Sequence, residues 1–191
     1  KEKDDMTLEE IRKQIDAIDT QMKPLFLQRM ECARYVAEEK EKTGGNVYVP
    51  EREREIIEKR ASDVDTDVRE EYVTFLKHLM SVCRRYEYGF LEHMQADVVE
   101  GALTIAGLCK EAEHKKVKIS YSCKTADHTL NLYLNMISLN QIVIEKMQVE
   151  TEGDIQIVTM ELCGNVNDSN MRQLLCQIGK ETEHFEILSL E

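Results

Sequence analysis

The chemistry-bearing residues of this chain are cations at helical intervals: Arg12, Arg29 and Lys40, followed by Arg52-Glu53. Arg29 and Lys40 stand eleven residues apart. At about 100° per residue they fall within roughly 20° of one helix face, so both side chains can enter one pocket. Arg12 precedes Arg29 by seventeen residues, which places it roughly 25 Å along the axis and about 100° round it. It reaches that pocket only from a second copy of the helix, so a site using all three cations is a product of dimerisation. The protein carries a net charge of -12. An acidic chain that gathers its cations in this way is suited to a small polyanion, whose carboxylates arginine can clamp bidentately.

The element that positions these residues is a long helix. Thr7 and Glu10 form a capping box, and Leu8, Ile11, Ile15, Ile18, Met22, Leu25 and Met30 recur at helical spacing as far as Thr43-Gly44-Gly45, which stops the helix. Pro24 removes a backbone hydrogen bond, so a kink is expected between Thr20 and Pro24. Pro50 opens a second helix that ends at Ser62-Asp63, and Asp65 to Asp67 cap a third. The third helix carries a stripe of Val68, Tyr72, Phe75, Leu76, Leu79, Val82, Tyr86 and Phe90. A helix of about 35 residues is about 50 Å long, too long for a three-helix monomer to cover, and this independently calls for a partner chain. Residues 95–116 read as a linker with a poor helix. Beyond it the period changes to strand 117–121, helix 127–139, strands 142–150 and 155–162, a helix from Asp168 or Ser169 to about Lys180, and strand 185–190. This βαββαβ order is the ferredoxin-like unit.

The ordered set Leu8-Glu9-Glu10-Ile11-Arg12-Lys13-Gln14-Ile15-Asp16, Leu25-Phe26-Leu27-Gln28-Arg29, Val36-Ala37-Glu38-Glu39-Lys40 and Pro50-Glu51-Arg52-Glu53 resembles the all-helical class of chorismate mutases, over about residues 8–93. The resemblance implies an all-α domain of three helices in an intertwined dimer, and conversion of chorismate to prephenate in aromatic amino-acid biosynthesis. It implies that Arg29 and the partner chain's Arg12 clamp the substrate carboxylates, that Lys40 donates to the ether oxygen, that Arg52 shapes the cationic pocket and that Glu53 meets the ring hydroxyl. Val49 stands where many members have Asp. Cys83 and Glu87 stand where the family usually has Ser and Gln. Their i, i+4 spacing keeps them on one face, but Cys83 is a weak donor, and Glu87 must carry a proton to donate as Gln would.

The C-terminal element order resembles an ACT domain, a class of regulatory modules that usually bind amino acids and pair through their sheets. It implies an aromatic amino-acid effector. Where such domains commonly have Pro-Gly, this chain has Asp127-His128, and a purely structural pairing role stands beside effector binding. The expected organisation is a mutase domain at 1–94, a linker at 95–116 and a regulatory or dimerisation domain at 117–191. A non-catalytic metabolite-sensing module on a mutase-like dimer is the alternative.

Composition limits the other classes. The surplus of acid disfavours nucleic acid and anionic membrane surfaces as partners. The six cysteines, at 32, 83, 109, 123, 163 and 176, lack paired spacing and read as buried reduced thiols, and with the charged start Lys1 to Asp5 they suggest a cytoplasmic protein. His78, His93, His114 and His128 lack metal-ligand spacing and no nucleotide-binding glycine motif occurs, so neither metal nor cofactor is expected. The methionines read as core filler.

Overall fold

The computed structural model describes residues 6–191; the charged start Lys1 to Asp5 lies outside the described residues. Six helices and four strands follow in the order α1 (Leu8–Thr43), α2 (Pro50–Ala61), α3 (Arg69–Tyr88), α4 (Glu92–Ala106), β1 (Lys116–Lys124), α5 (Leu130–Leu139), β2 (Val143–Glu152), β3 (Ile155–Cys163), α6 (Ser169–Glu181) and β4 (Glu183–Leu190).

The expected capping box starts α1. The Thr7 N–H donates to Glu10 Oε2 at 2.8 Å, and the Glu10 N–H donates to Thr7 Oγ1 at 3.3 Å. Gly44 ends the helix in the left-handed conformation at φ 73°, its N–H bonded to the Lys40 carbonyl at 2.7 Å. The helix runs through Pro24 without interruption. Its two ends differ in packing. Ala33 and Ala37 are buried, whereas Leu8, Ile15, Ile18 and Leu25 are 50–64% exposed. The C-terminal third of α1 is anchored by a small cluster of Ala37, Val47, Tyr88, Leu91 and Cys176, drawn from α1, the 44–49 loop, α3, the turn before α4 and α6.

Helix α3 packs between α1 on one side and the C-terminal helices α5 and α6 on the other. Its expected apolar stripe therefore divides. Leu76 is buried, while Val68, Phe75 and Phe90 are exposed, and the fully covered face instead includes Ser81, Cys83, Arg84 and Glu87. The Asp65 to Asp67 region forms a single 3-10 turn ahead of α3, with no side-chain cap bond.

Residues 95–116 depart from the linker reading. Most of the stretch belongs to α4, whose Gln95, Val99 and Leu103 are buried and whose Val99 and Leu103 join the main core. Its two helix glycines differ from each other. Gly101 lies in open space, and Gly107 supplies the left-handed C-cap at φ 67°. The apolar face thus survives at i, i+4 spacing, which a window average over the glycines obscures.

The four strands form one antiparallel sheet in the order β2-β3-β1-β4, as the ferredoxin-like arrangement requires. Alternation sends Val117, Ile119 and Tyr121 of β1 inward, opposite Leu162, Met160 and Val158 of β3. Helices α5 and α6 close the core with Tyr133, Met136, Leu174, Leu175 and Ile178. Helix α5 begins at Leu130 rather than at Asp127, because residues 125–127 form a 3-10 turn and His128 takes a left-handed φ of 50°. Thus His128 occupies a conformation that glycine adopts freely. Cys83, Cys123 and Cys176 are buried thiols as expected, but Cys32 and Cys109 are exposed. Among the methionines, Met80, Met136, Met160 and Met171 fill the core, whereas Met22 is exposed. Among the described residues, no helix is long and apolar enough to cross a membrane.

Candidate active site

Arg29 and Lys40 project from one face of α1 onto one face of α3. The Arg29 Nη1 donates to the Cys83 thiol, and Lys40 Nζ meets Glu87 Oε2 at 3.3 Å. Two cations eleven residues apart on α1 thereby meet two residues four apart on α3, in the same chain order along both helices. Lys40 Nζ also donates to the Val47 carbonyl at 3.4 Å, so its position rests on the anchored 44–49 loop as well as on Glu87. Cys83 Sγ lies 3.5 Å from Met30 Sδ in an apolar setting.

Burial of the Glu87 carboxyl pushes its pKa above the ordinary carboxylate range, while Lys40, Arg84 and Arg29 pull in the opposite direction without overcoming burial. Burial likewise raises the Cys83 thiol, against the neighbouring Arg29. Both groups therefore bind their protons more tightly than the free side chains do.

The remaining expected residues are placed differently. Arg52 lies exposed on α2. Arg12 lies exposed on the N-terminal part of α1, away from Arg29 within one chain. Glu53 is half-buried, and its Oε1 accepts from Arg84 Nη1 instead of standing free. Arg84 is a residue that sequence reasoning missed. Its side chain is 7% exposed, stacks 4.6 Å over the Tyr48 ring, and donates through Nε and Nη2 to Glu181 Oε1 and Oε2 at 2.7 and 3.1 Å. The two carboxylates hold the guanidinium protonated, raising its pKa despite burial. Burial pushes the Glu181 carboxyl up, and the bidentate guanidinium with Gln177 opposes that shift. Removing one member of such a buried set generally costs on the order of 3–5 kcal/mol. The available sequence signal was that Arg84 precedes Glu87 by three residues and therefore shares its face; its partner Glu181, ninety-seven residues away, had none.

Between the N-terminal part of α1 and α3 runs an open apolar groove of about 780 Å³, lined by Met22, Leu25, Phe26, Phe75 and Leu79, with Arg29 also on its wall.

Residues 11–88 match the family model for chorismate mutase type II. That span contains Arg12, Arg29, Lys40, Arg52, Glu53, Cys83 and Glu87. Over 52 residues the chain is 46% identical to a bifunctional chorismate mutase/prephenate dehydratase of Aquifex aeolicus (strain VF5), a match that covers 27% of this chain and 14% of that protein. No solved structure matches the chain. The matched span lies in α1 to α3, and α4 and the ferredoxin-like sheet follow it.

Proposed function

We propose that the protein is a chorismate mutase that rearranges chorismate to prephenate on the surface where α1 faces α3. The carrying observation is the opposition of Arg29 and Lys40 to Cys83 and Glu87 inside the family-matched span. The rearrangement breaks a C–O bond and forms a C–C bond within one molecule, with no proton or electron transferred. The residues' work is to hold a flexible dianion in its compact conformer and to stabilise charge growing on the ether oxygen. Arg29 takes one carboxylate, and Lys40 with a protonated Glu87 donates to the ether oxygen. Cys83 contributes a weak donor beside them. Glu53 receives the ring hydroxyl, and Arg52 adds positive potential at the rim.

The site is completed by a second copy. Leu8, Ile15, Ile18 and Leu25 lie exposed along α1, and the adjoining groove reaches Arg29. Seating a partner's α1 there covers these apolar side chains and brings the partner's Arg12 toward the carboxylates. The proposed division is a mutase domain at 1–94 and an ACT-like domain at 117–191 that pairs chains or receives an aromatic amino acid, joined by residues 95–116, whose helix α4 packs into the core.

The test follows chorismate loss by absorbance with the purified chain, alone and with phenylalanine, tyrosine or tryptophan. Turnover that is lost in Lys40→Ala supports the mutase reading, and a change with one amino acid supports the effector role. A folded dimer without turnover refutes the enzymatic reading.

A further inference from the structure

The ion cluster around Arg84 spans both halves of the molecule. Glu53 comes from α2, Arg84 from α3 and Glu181 from the last turn of α6. Glu181 is itself fixed at several points. Its carboxylate receives Arg84 Nε and Nη2, Gln177 Nε2 donates to its Oε1 at 3.2 Å, and the Tyr133 hydroxyl donates to its backbone carbonyl at 3.0 Å. The exposure of the three side chains grades from 1% at Glu181 through 7% at Arg84 to 23% at Glu53. The cluster is therefore rooted in the C-terminal half and opens toward the mutase half. Arg84 commits Nε and Nη2 to Glu181 and presents Nη1 to Glu53 Oε1, while Glu53 Oε2 accepts no bond from the described residues.

A carboxylate held by one oxygen, with the other accepting no bond from the described residues, keeps an acceptor for a hydroxyl donor. A guanidinium fork locked on its opposite side by a buried carboxylate and a tyrosine ring is a stiff support for it. Arg84 also stands three residues before Glu87 on α3, so the same helix turn carries the support of Glu53 and the donor beside Lys40.

Resting on the mutase reading, we propose that Arg84, anchored by Glu181 of the C-terminal half, is a positioning residue that sets Glu53 for the substrate's ring hydroxyl. The ferredoxin-like half is then a working part of the mutase site, and displacement of α6 relative to α3 changes substrate affinity.

The experiment measures kcat and KM for chorismate in the full-length chain and in Glu181→Gln, Arg84→Lys and Arg85→Ala, each checked for folding by circular dichroism. The first two changes are repeated in a Glu53→Ala background. Arg85 also crosses between the halves, with Nη2 3.2 Å from Asn140 Oδ1, yet makes no contact with Glu53, so it controls for general loosening. Glu181→Gln and Arg84→Lys are expected to raise KM and lower kcat/KM by roughly ten- to a hundred-fold, the scale on which small misplacements act. In the Glu53→Ala background the same changes are expected to alter kcat/KM less than about twofold, because they act through the missing carboxylate. Arg85→Ala is expected to match the parent. If Glu181→Gln does not fold, Arg84→Lys carries the test with its charge retained. Unchanged kinetics in folded variants, or an undiminished effect without Glu53, overturns the positioning role while leaving the mutase reading intact. A folded parent chain without turnover removes both.

Discussion

Replacing Glu87 by Gln tests the chemistry most specific to this chain. Lys40 Nζ stands 3.3 Å from Glu87 Oε2, a separation at which two unit charges interact by roughly 5 kcal/mol at an effective dielectric constant of about 20. That attraction favours the ionised carboxyl, yet burial outweighs it and the pKa of Glu87 is raised. A bound dianion adds negative charge and pushes in the same direction as burial. For the proposed rearrangement the protonated form is the useful one. Lys40 holds Oε2, and Oε1, which accepts no bond from the described residues, is free to carry a proton toward the ether oxygen. Activity is therefore full below the raised pKa and falls as pH rises through it, by up to about tenfold per pH unit for a single essential proton. The decline levels off where Lys40 alone serves the oxygen. Loss of one preorganised donor costs about 10²- to 10³-fold in turnover, which bounds its total depth. Glu87→Gln places its amide oxygen against Lys40 and a permanent N–H at the other position. Lys40 keeps its second anchor at the Val47 carbonyl, so the substitution does not release it. The variant is expected to equal or exceed the parent near neutral pH and to lack the alkaline decline. The assay is kcat and kcat/KM for chorismate across the pH range in which the protein remains folded. Superimposable profiles for parent and variant refute a donor role for Glu87. The same raised pKa gives a stability check: a carboxyl that binds its proton more tightly when folded loses stability as pH rises from its unfolded value through its folded value, and Gln abolishes that slope.

Two further outcomes follow from geometry. Mixing inactive Arg12→Ala and Lys40→Ala chains under conditions of subunit exchange should restore part of the activity, because a mixed dimer contains one site with both residues intact; no recovery after demonstrated exchange refutes the shared site. A Cβ at Gly179 would lie 2.7 Å from Val98 Cγ1 and 2.9 Å from Phe185 Cδ1, whereas one at Gly101 meets nothing within 4 Å. Gly179→Ala is therefore expected to destabilise the fold by about 1–3 kcal/mol through overpacking, and Gly101→Ala to stabilise α4 by roughly 0.5–1 kcal/mol through helix propensity. Thermal unfolding distinguishes the two, and equal shifts would refute the packing argument.

Local order was written along the chain because it depends on neighbours a few residues apart. The Thr7/Glu10 box, the stop at Gly44, Pro50 at the first position of α2 and the alternation of Val117, Ile119 and Tyr121 are each decided by short-range hydrogen bonding and side-chain periodicity. That Arg29 and Lys40 share one face, and Cys83 and Glu87 another, was legible for the same reason, since helix geometry converts spacing into a shared face. Tertiary packing decided the rest. Helix α4 became part of the core because Val99 and Leu103 met the buried face of the C-terminal half, contacts invisible within its own sequence window. Nothing near Arg84 in the chain announces Glu181, which α6 brings against it across ninety-seven residues. Glu53 meets Arg84 in the same cluster, from a third element. Propensity and capping act over one or two helical turns, whereas burial and charge pairing act wherever folding brings distant segments together, and that is where the support of this site was determined.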